Sequence, residues 1–286
     1  MVRSSQGQSV LGRHLAVLDA FDALHPFRTL SQIADAAGLA PSTAHRLVAE
    51  LTAEGLLERL PDRTYRLGIR LWEYASRTPG ALGLREVARP WLQAAHARIR
   101  QHIQLGVLAG TDVLFVERMS ARDAVVNATL IGGRIPLHAS ASGLVLLAYA
   151  DTSVLDAVLA AGLRGYTPDT IQTEAELRRV LRLVRAEGFA DARGHIHADA
   201  RGLGVPIQGP DGSVYAALSA VVPNAEGPAA AVVETLRVAA AGVGRSLAHT
   251  YARGTKDGSE WHGPDPTAGV SDTSWEYIAA LARREP

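Results

Sequence analysis

The stretch RTLSQIADAAGLAPSTAHRLVAELTAEGLLERLPDRTYRLG, from Arg28 to Gly68, carries two short helical patterns around a tight turn and then two strand-like runs. Thr29 stands where its hydroxyl can cap a helix beginning at Leu30, and Gln32 three residues on completes a capping box. Leu30, Ile33, Ala34 and Ala37 recur at helical spacing. Gly38 tolerates left-handed backbone, and Pro41 pre-sets the first turn of a second helix in which Ala44, Leu47, Val48 and Leu51 form one apolar stripe. Ser42, Thr43, His45, Arg46 and Glu50 fall on its other faces. Gly55 ends that helix, and Leu56–Arg59 and Thr64–Leu67 read as strands joined across Pro61-Asp62-Arg63. Upstream, Val10, Leu11, Leu15, Val17, Leu18, Phe21 and Leu24 predict a first helix that completes a small core. Three helices and a hairpin in this order are a winged helix-turn-helix, and double-stranded operator DNA is the partner that such a module implies.

Net charge does not distinguish this module. Arg3, Arg13, Arg28, Arg46, Arg59, Arg63 and Arg66 are matched by Asp19, Asp22, Asp35, Glu50, Glu54, Glu58 and Asp62, so the fold must segregate the basic groups. Ser42, Thr43, His45 and Arg46 are the expected contacts to base edges, with Arg46 suited to guanine. Arg28, Thr29, Arg63 and Arg66, at the helix entrance and on the wing, are expected to hold phosphates. A glycine turn between helices also occurs in other small α+β domains, so the pattern alone is not decisive.

Motifs elsewhere narrow it. The runs Leu30-Ser31-Gln32-Ile33-Ala34, Pro41-Ser42-Thr43-Ala44-His45-Arg46-Leu47, Glu54-Gly55-Leu56-Leu57 and Tyr65-Arg66-Leu67-Gly68 are followed by Gly133-Arg134-Ile135-Pro136-Leu137-His138-Ala139-Ser140-Ala141-Ser142-Gly143 and Ala216-Ala217-Leu218-Ser219. With these, the chain resembles the IclR family of bacterial transcriptional regulators from Ser9 to Arg253. The resemblance implies an α+β chain: the winged helix-turn-helix, a linker helix, and a C-terminal GAF-like effector-binding domain with a six-stranded antiparallel sheet. It also implies a ligand-responsive repressor or activator of a catabolic operon, working as a homodimer or dimer of dimers, with a small organic acid as effector and no cofactor or enzymatic activity. Two recognition helices related by a two-fold axis would read a roughly palindromic operator.

Composition is consistent with this. A chain of 286 residues has room for two domains, and its formal net charge of +0 signals neither a membrane surface nor general nucleic-acid coating. With no cysteine, disulfides and thiolate metal sites are unavailable. No apolar run is long enough to span a membrane, and Met1–Gln8 lack a signal-peptide core, so the expected location is cytoplasmic. There is no GxSxG, Walker loop or dinucleotide fingerprint.

The expected division is residues 9–68 for the DNA-binding domain, 69–83 for a linker helix and a hinge at Thr78-Pro79-Gly80, 84–253 for the effector domain and 254–286 for a C-terminal extension. Effector binding would act on the DNA-binding modules through the linker helix. The effector domain should open with a helix over 84–101. Strands at 102–109, 112–119 and 125–130 should follow, then helices at 143–150, 153–160 and 173–187. Strands near 189–192, 203–208 and 214–222 and a helix over 229–251 close it, an α+β order. Glu117 and Asp123 read as isolated carboxylates at solvated strand ends. In the extension, Ser274–Arg284 could form one short helix that docks on its own or a neighbouring subunit.

The strongest candidate ligand site is residues 132–147. Pro136 fixes an extended approach, and Ser140, Ala141, Ser142 and Gly143 open an apolar helix whose first N–H groups would suit a small carboxylate. The simpler alternative is that Ser140 or Ser142 only caps the helix. The family resemblance implies a pocket built from Ala124, Asn127, Ile135, Ala141, Ser142, Ala192, Gly202, Ser219 and Val221. Asn127 is polar where relatives often carry a large apolar residue, Gly202 replaces a cysteine of some members, Val221 replaces a hydroxyl, and Leu144 replaces a lysine. These departures, with the space left by Ala124 and Gly202, point away from glyoxylate or pyruvate and toward a larger carboxylate, aromatic or not, or its derivative.

His195-Ile196-His197-Ala198-Asp199 is the remaining motif. On an extended chain His195, His197 and Asp199 would share one face and could converge on a metal, similar to the start of the metallo-β-lactamase HxHxDH pattern. Ala200 leaves that pattern incomplete, so a polar loop, either exposed or lining the pocket, is the favoured reading, with no metal. The alternative function is a metal-dependent hydrolase using these three residues.

Overall fold

The computed structural model describes residues 9–22, 24–76, 81–127, 129–209, 211–225 and 229–254. The chain forms two compact units, residues 1–78 and 79–286.

In the first unit, helix α1 (Val10–Asp19) is capped by Ser9, whose hydroxyl accepts from the Gly12 N–H. Helix α2 (Leu30–Ala37) has the complete capping box of Thr29 and Gln32 and ends on Gly38 at φ +63°. Helix α3 (Pro41–Ala53) starts on its proline. Strands β1 (Leu57–Arg59) and β2 (Tyr65–Leu67) pair antiparallel, and Arg28 adds a backbone bridge to Tyr65. Val17, Phe21, Ile33, Leu47, Val48, Leu51 and Leu57 form the core.

The first helix contributes less than its sequence pattern suggests, since Val10, Leu11, Leu15 and Leu24 are 48–75% exposed. At 3.6 residues per turn, Leu11 and Leu15 lie more than about 100° round the helix from Val17. Val10 is on the core side but two turns before Val17, and Leu24 follows the helix end. Helix α4 (Ile69–Ser76) continues from the wing. The expected hinge at Thr78-Pro79-Gly80 lies outside the described residues.

The second unit opens with α5 (Ala81–Ile99), three residues earlier than the apolar pattern indicates; Arg100 at φ +55° follows its end. Strands β3 (His102–Ala109), β4 (Asp112–Met119), β5 (Arg134–Pro136), β6 (Ala190–Arg193), β7 (Ala200–Gln208) and β8 (Val214–Pro223) make one antiparallel sheet in the order β5-β4-β3-β8-β7-β6. Side chains alternate between its faces. Ile103, Leu105, Leu203, Val205, Ile207, Leu218 and Ala220 pack under α5 and helix α9 (Ala230–Gly254). The other face carries α6 (Ala141–Tyr149), with α7 (Thr152–Ala161) and α8 (Glu174–Glu187) beyond it.

Two expectations need correction. The described residues of the 125–130 segment form no strand. Val125 donates its N–H to the Gln101 side chain and accepts from the His102 ring, while the Asn127 amide oxygen accepts from the Thr129 N–H and hydroxyl. These side-chain bonds take the place of a ladder, and the β-rich composition of the segment does not decide its conformation. Glu117 is buried rather than solvated, and its carboxylate is held by Arg85 of α5 at 2.8 Å.

No helix among the described residues is long and apolar enough to cross a membrane. The extension, including the expected helix at Ser274–Arg284, lies outside the described residues.

Candidate functional site

In the first unit α3 exposes Ser42, His45 and Arg46 and half-buries Thr43. Arg46 is not free: its guanidinium meets Glu50 at 2.5 Å one turn on, and His14 of α1 meets the other oxygen of the same carboxylate at 2.8 Å. Hydrogen bonding from His14, then from Arg46, holds the Glu50 carboxyl below its ordinary range. On the wing, Arg63 stands exposed at the tip at φ +67°, and Arg66 pairs with Glu58 at 2.8 Å. Thr29 uses its hydroxyl for the α2 cap, and the Arg28 Nε is buried without a partner among the described residues.

The second unit holds a cavity between the sheet and the first turn of α6. Its floor follows from strand register. Gln104 pairs with Ser219, which pairs with Gly204; in the next row Val221 pairs with Gly202, which pairs with Ala192. Small residues let the start of α6 approach the sheet: a Cβ on Gly204 would lie 2.9 Å from the Ala141 carbonyl oxygen, and one on Gly202, in the floor itself, would make a tight 3.2 Å contact with Ala141 Cβ. The walls are Ser140, Ala141 and Ser142 of the α6 start, Phe115, Ile135, Val126, Asn127 and Thr129, and the β6–β7 connection with His195, Ile196 and His197. The space open to the centres of water-sized molecules is about 60 Å³, several times the roughly 10–15 Å³ that one water needs.

Ser140 caps α6 by accepting from the Gly143 N–H, which realises the simple capping reading for that serine. Capping consumes only one of the first N–H groups, so those of Ala141 and Ser142 still open the helix at the cavity wall. Ser142 donates to Ser219 at 2.7 Å, and both are buried.

Eight of the nine expected pocket residues line the cavity: Asn127, Ile135, Ala141, Ser142, Ala192, Gly202, Ser219 and Val221. Ala124 does not, since its N–H turns back to the Ala121 carbonyl and Val126 occupies the wall. Sequence reasoning missed Gln104, Phe115 and Thr129. A polar residue between Ile103 and Leu105 in a buried strand was the available signal for Gln104.

The His195–Asp199 segment is not extended. The Thr167 and Thr170 hydroxyls hold the Gly194 and His195 carbonyls, and the backbone N–H of Ala200 returns to the His197 carbonyl, closing a tight turn. Asp199 consequently points to solvent, with its side chain 85% exposed, and does not join both imidazoles. No group of three or more His, Asp or Glu among the described residues is placed to hold a metal ion.

The far end of the cavity is tied down by a polar chain. His102 Nε2 donates to the Val125 carbonyl, fixing the tautomer, and Nδ1 meets the Ser120 hydroxyl at 2.9 Å. Arg118 donates to Ser120 and to the Thr129 carbonyl, while Gln104 donates to the Thr129 hydroxyl. Burial, chiefly, holds the His102 pKa below its ordinary 6.5, against the opposing bond to Val125. His195 is lowered in the same direction, again chiefly by burial. Unfolding therefore takes up protons just below pH 6.5, so stability should be complete above that value and fall on acidification. Urea melts between about pH 7.5 and about pH 5 should show midpoints declining with pH, with a shallower decline in His102→Asn.

A winged helix-turn-helix in one unit and a sheet-floored cavity of ligand size in the other define a DNA-binding regulator that answers to a small molecule. The model of the IclR helix-turn-helix domain matches residues 10–61, and that of the bacterial transcriptional regulator IclR C-terminal domain matches residues 78–245. The chain belongs to the IclR family of transcriptional regulators, DNA-binding proteins rather than enzymes. It is 31% identical over 213 residues to the HTH-type transcriptional regulator XynR of Escherichia coli K12, covering 72% of this chain and 83% of that one. Identity to the Pca regulon regulatory protein of Pseudomonas putida is 28% over 217 residues, covering 73% and 72% of the two chains. Among solved structures, an IclR homolog from Microbacterium hydrocarbonoxydans complexed with 4-hydroxybenzoate superposes with a TM-score of 0.78 at 44% identity, covering 84% of this chain and 99% of that one.

Proposed function

We propose that this regulator controls a catabolic operon in the cytoplasm, binding a palindromic operator as a homodimer or dimer of dimers and sensing a small aromatic carboxylate. The cavity against the α6 N-terminus carries this reading. Its floor and walls are mostly apolar, with Phe115, Ile135, Ile196 and Val221 available to an aromatic ring. None of its described lining residues is Lys or Arg, so an anion there would rely on the N–H groups of Ala141 and Ser142, the helix dipole and the Ser142 and Ser219 hydroxyls. The relative complexed with 4-hydroxybenzoate supports the ligand class at 44% identity.

Ser42, Thr43, His45 and Arg46 are assigned to base edges, and Arg28, Thr29, Arg63 and Arg66 to phosphates. Val10, Leu11 and Leu15 of α1 and Ile69 and Trp72 of α4 are large apolar side chains exposed within the same unit, which supports cover by a second copy.

The test is fluorescence anisotropy of the purified protein on its own upstream intergenic DNA, with aliphatic and aromatic acids added singly. A specific complex whose affinity changes with benzoate-type acids, and not with two- or three-carbon acids, is expected. An operator complex that responds only to the short acids would overturn the aromatic assignment.

A further inference from the structure

Two residues that line the cavity each carry a buried polar atom without a hydrogen-bond partner among the described residues, Asn127 Nδ2 and His195 Nδ1. The amide orientation of Asn127 is set by its neighbours. Its oxygen accepts from the Thr129 N–H at 3.0 Å and from the Thr129 hydroxyl at 2.8 Å, so the NH₂ group is the end left over. His195 is fixed from behind, because its carbonyl accepts from the Thr170 hydroxyl and the preceding Gly194 carbonyl accepts from Thr167. Buried polar groups are ordinarily paired, and unpaired ones in a binding cavity mark where a ligand completes the set.

We propose that Asn127 and His195 read a neutral hydroxyl on the ring of the effector, the hydroxyl oxygen accepting from Asn127 Nδ2 and its proton going to His195 Nδ1. This rests on the aromatic-carboxylate reading above and adds the specificity that the carboxylate end cannot supply. Burial keeps the imidazole predominantly neutral near neutral pH, against the pull of Glu176, Asp169 and Asp191, so Nδ1 has a lone pair to offer in one tautomer. A hydroxyl can accept and donate at once. A methyl group can do neither and would leave both atoms stranded. A second carboxylate could accept from Asn127, but it would be buried with no Lys or Arg in the described lining. The departure of Asn127 from a large apolar residue thereby acquires a role.

The test is calorimetric titration of the full chain with 3- and 4-hydroxybenzoate and with the methylbenzoates of the same geometry. The better hydroxybenzoate is expected to bind at least about 10-fold more tightly than its methyl counterpart, since a site built to hydrogen-bond a hydroxyl discriminates against its loss. Asn127→Asp keeps an acceptor for Thr129 while removing the donor, and His195→Phe removes Nδ1. Each should reduce the ratio to below about 3-fold, whatever the change in absolute affinity for either acid. Equal affinities in the unmodified protein, or a ratio that survives both substitutions, would overturn the hydroxyl assignment and leave the carboxylate reading standing. Failure of every aromatic acid to bind would overturn the carboxylate reading, and this assignment with it.

Discussion

Arg46→Ala is expected to abolish specific operator binding while leaving the fold and effector binding intact. A bidentate arginine–guanine contact contributes about 1–3 kcal/mol of discrimination, so two copies on a palindrome lose roughly 2–6 kcal/mol, a weakening of about 30-fold to more than 10⁴-fold. The contact with Glu50 does not stand in the way, since both side chains are exposed and such surface pairs are weak. Arg46→Lys separates shape from charge. It should retain the salt dependence of binding but lose preference for the guanine position, because an ammonium cannot make the planar fork. Arg63→Ala should instead weaken specific and non-specific DNA alike and reduce the salt slope by about 1.8, roughly 0.9 for each of the two copies. Anisotropy titrations at several salt concentrations check all three. If Arg46→Ala bound the operator as tightly as the unmodified protein, the base-edge assignment would fail.

The second large effect falls on stability. A Cβ on Gly143 would lie 2.2 Å from the Leu137 carbonyl oxygen and 2.6 Å from its Cα, atoms of a backbone that cannot rotate aside. The short 3-10 turn Leu137–Ala139 runs directly into α6, and Gly143 lies against the backbone of that turn. Gly143→Ala should cost about 3 kcal/mol or more, the upper end for overpacking. In a unit of this size that lowers the melting temperature by roughly 6–12 °C. Gly212→Ala makes a useful contrast. Its φ is +78° with nothing within 4 Å of the added Cβ, so only backbone strain of about 1–2 kcal/mol applies. Scanning calorimetry of both variants should show the larger drop for Gly143→Ala. The reverse order would mean that the 3-10 turn yields easily, and the close approach would lose its importance.

The parts of this protein that could be read from its sequence are those governed by near neighbours. Thr29 with Gln32, Gly38, Pro41 and Gly55 act within one turn of themselves, so the DNA-binding module follows from local chemistry. Residues 125–130 follow the opposite logic, because their backbone partners include Gln101 and His102, more than twenty positions upstream. Spacing along the segment carries no sign of that. The same limit explains the His195–Asp199 segment, where alternation suggested a metal face and the hydroxyls of Thr167 and Thr170 dictate a turn. Most pocket residues were named through family resemblance, and only the strand register explains why Ala192, Gly202, Val221 and Ser219 come together from three strands. Asn127 and His195 both stand out in the sequence, but that each leaves an atom unpaired among the described residues is visible only in three dimensions.

The middle of the sheet joins β3 to β8, residues 102–106 against 217–221, and the face they share is closed by α5 and α9 from the two ends of the second unit. During synthesis the wing and its helices leave the ribosome before the sensor, with their described core partners close in sequence. The sensor cannot complete its centre until more than a hundred further residues have been added, and such distant pairings are slow to form. A growing chain therefore passes through an interval in which a DNA-binding module exists without the domain that governs it. Truncation before β8 should leave the second unit without the core between its sheet and α5, exposed to proteolysis, rather than yield a partial sensor.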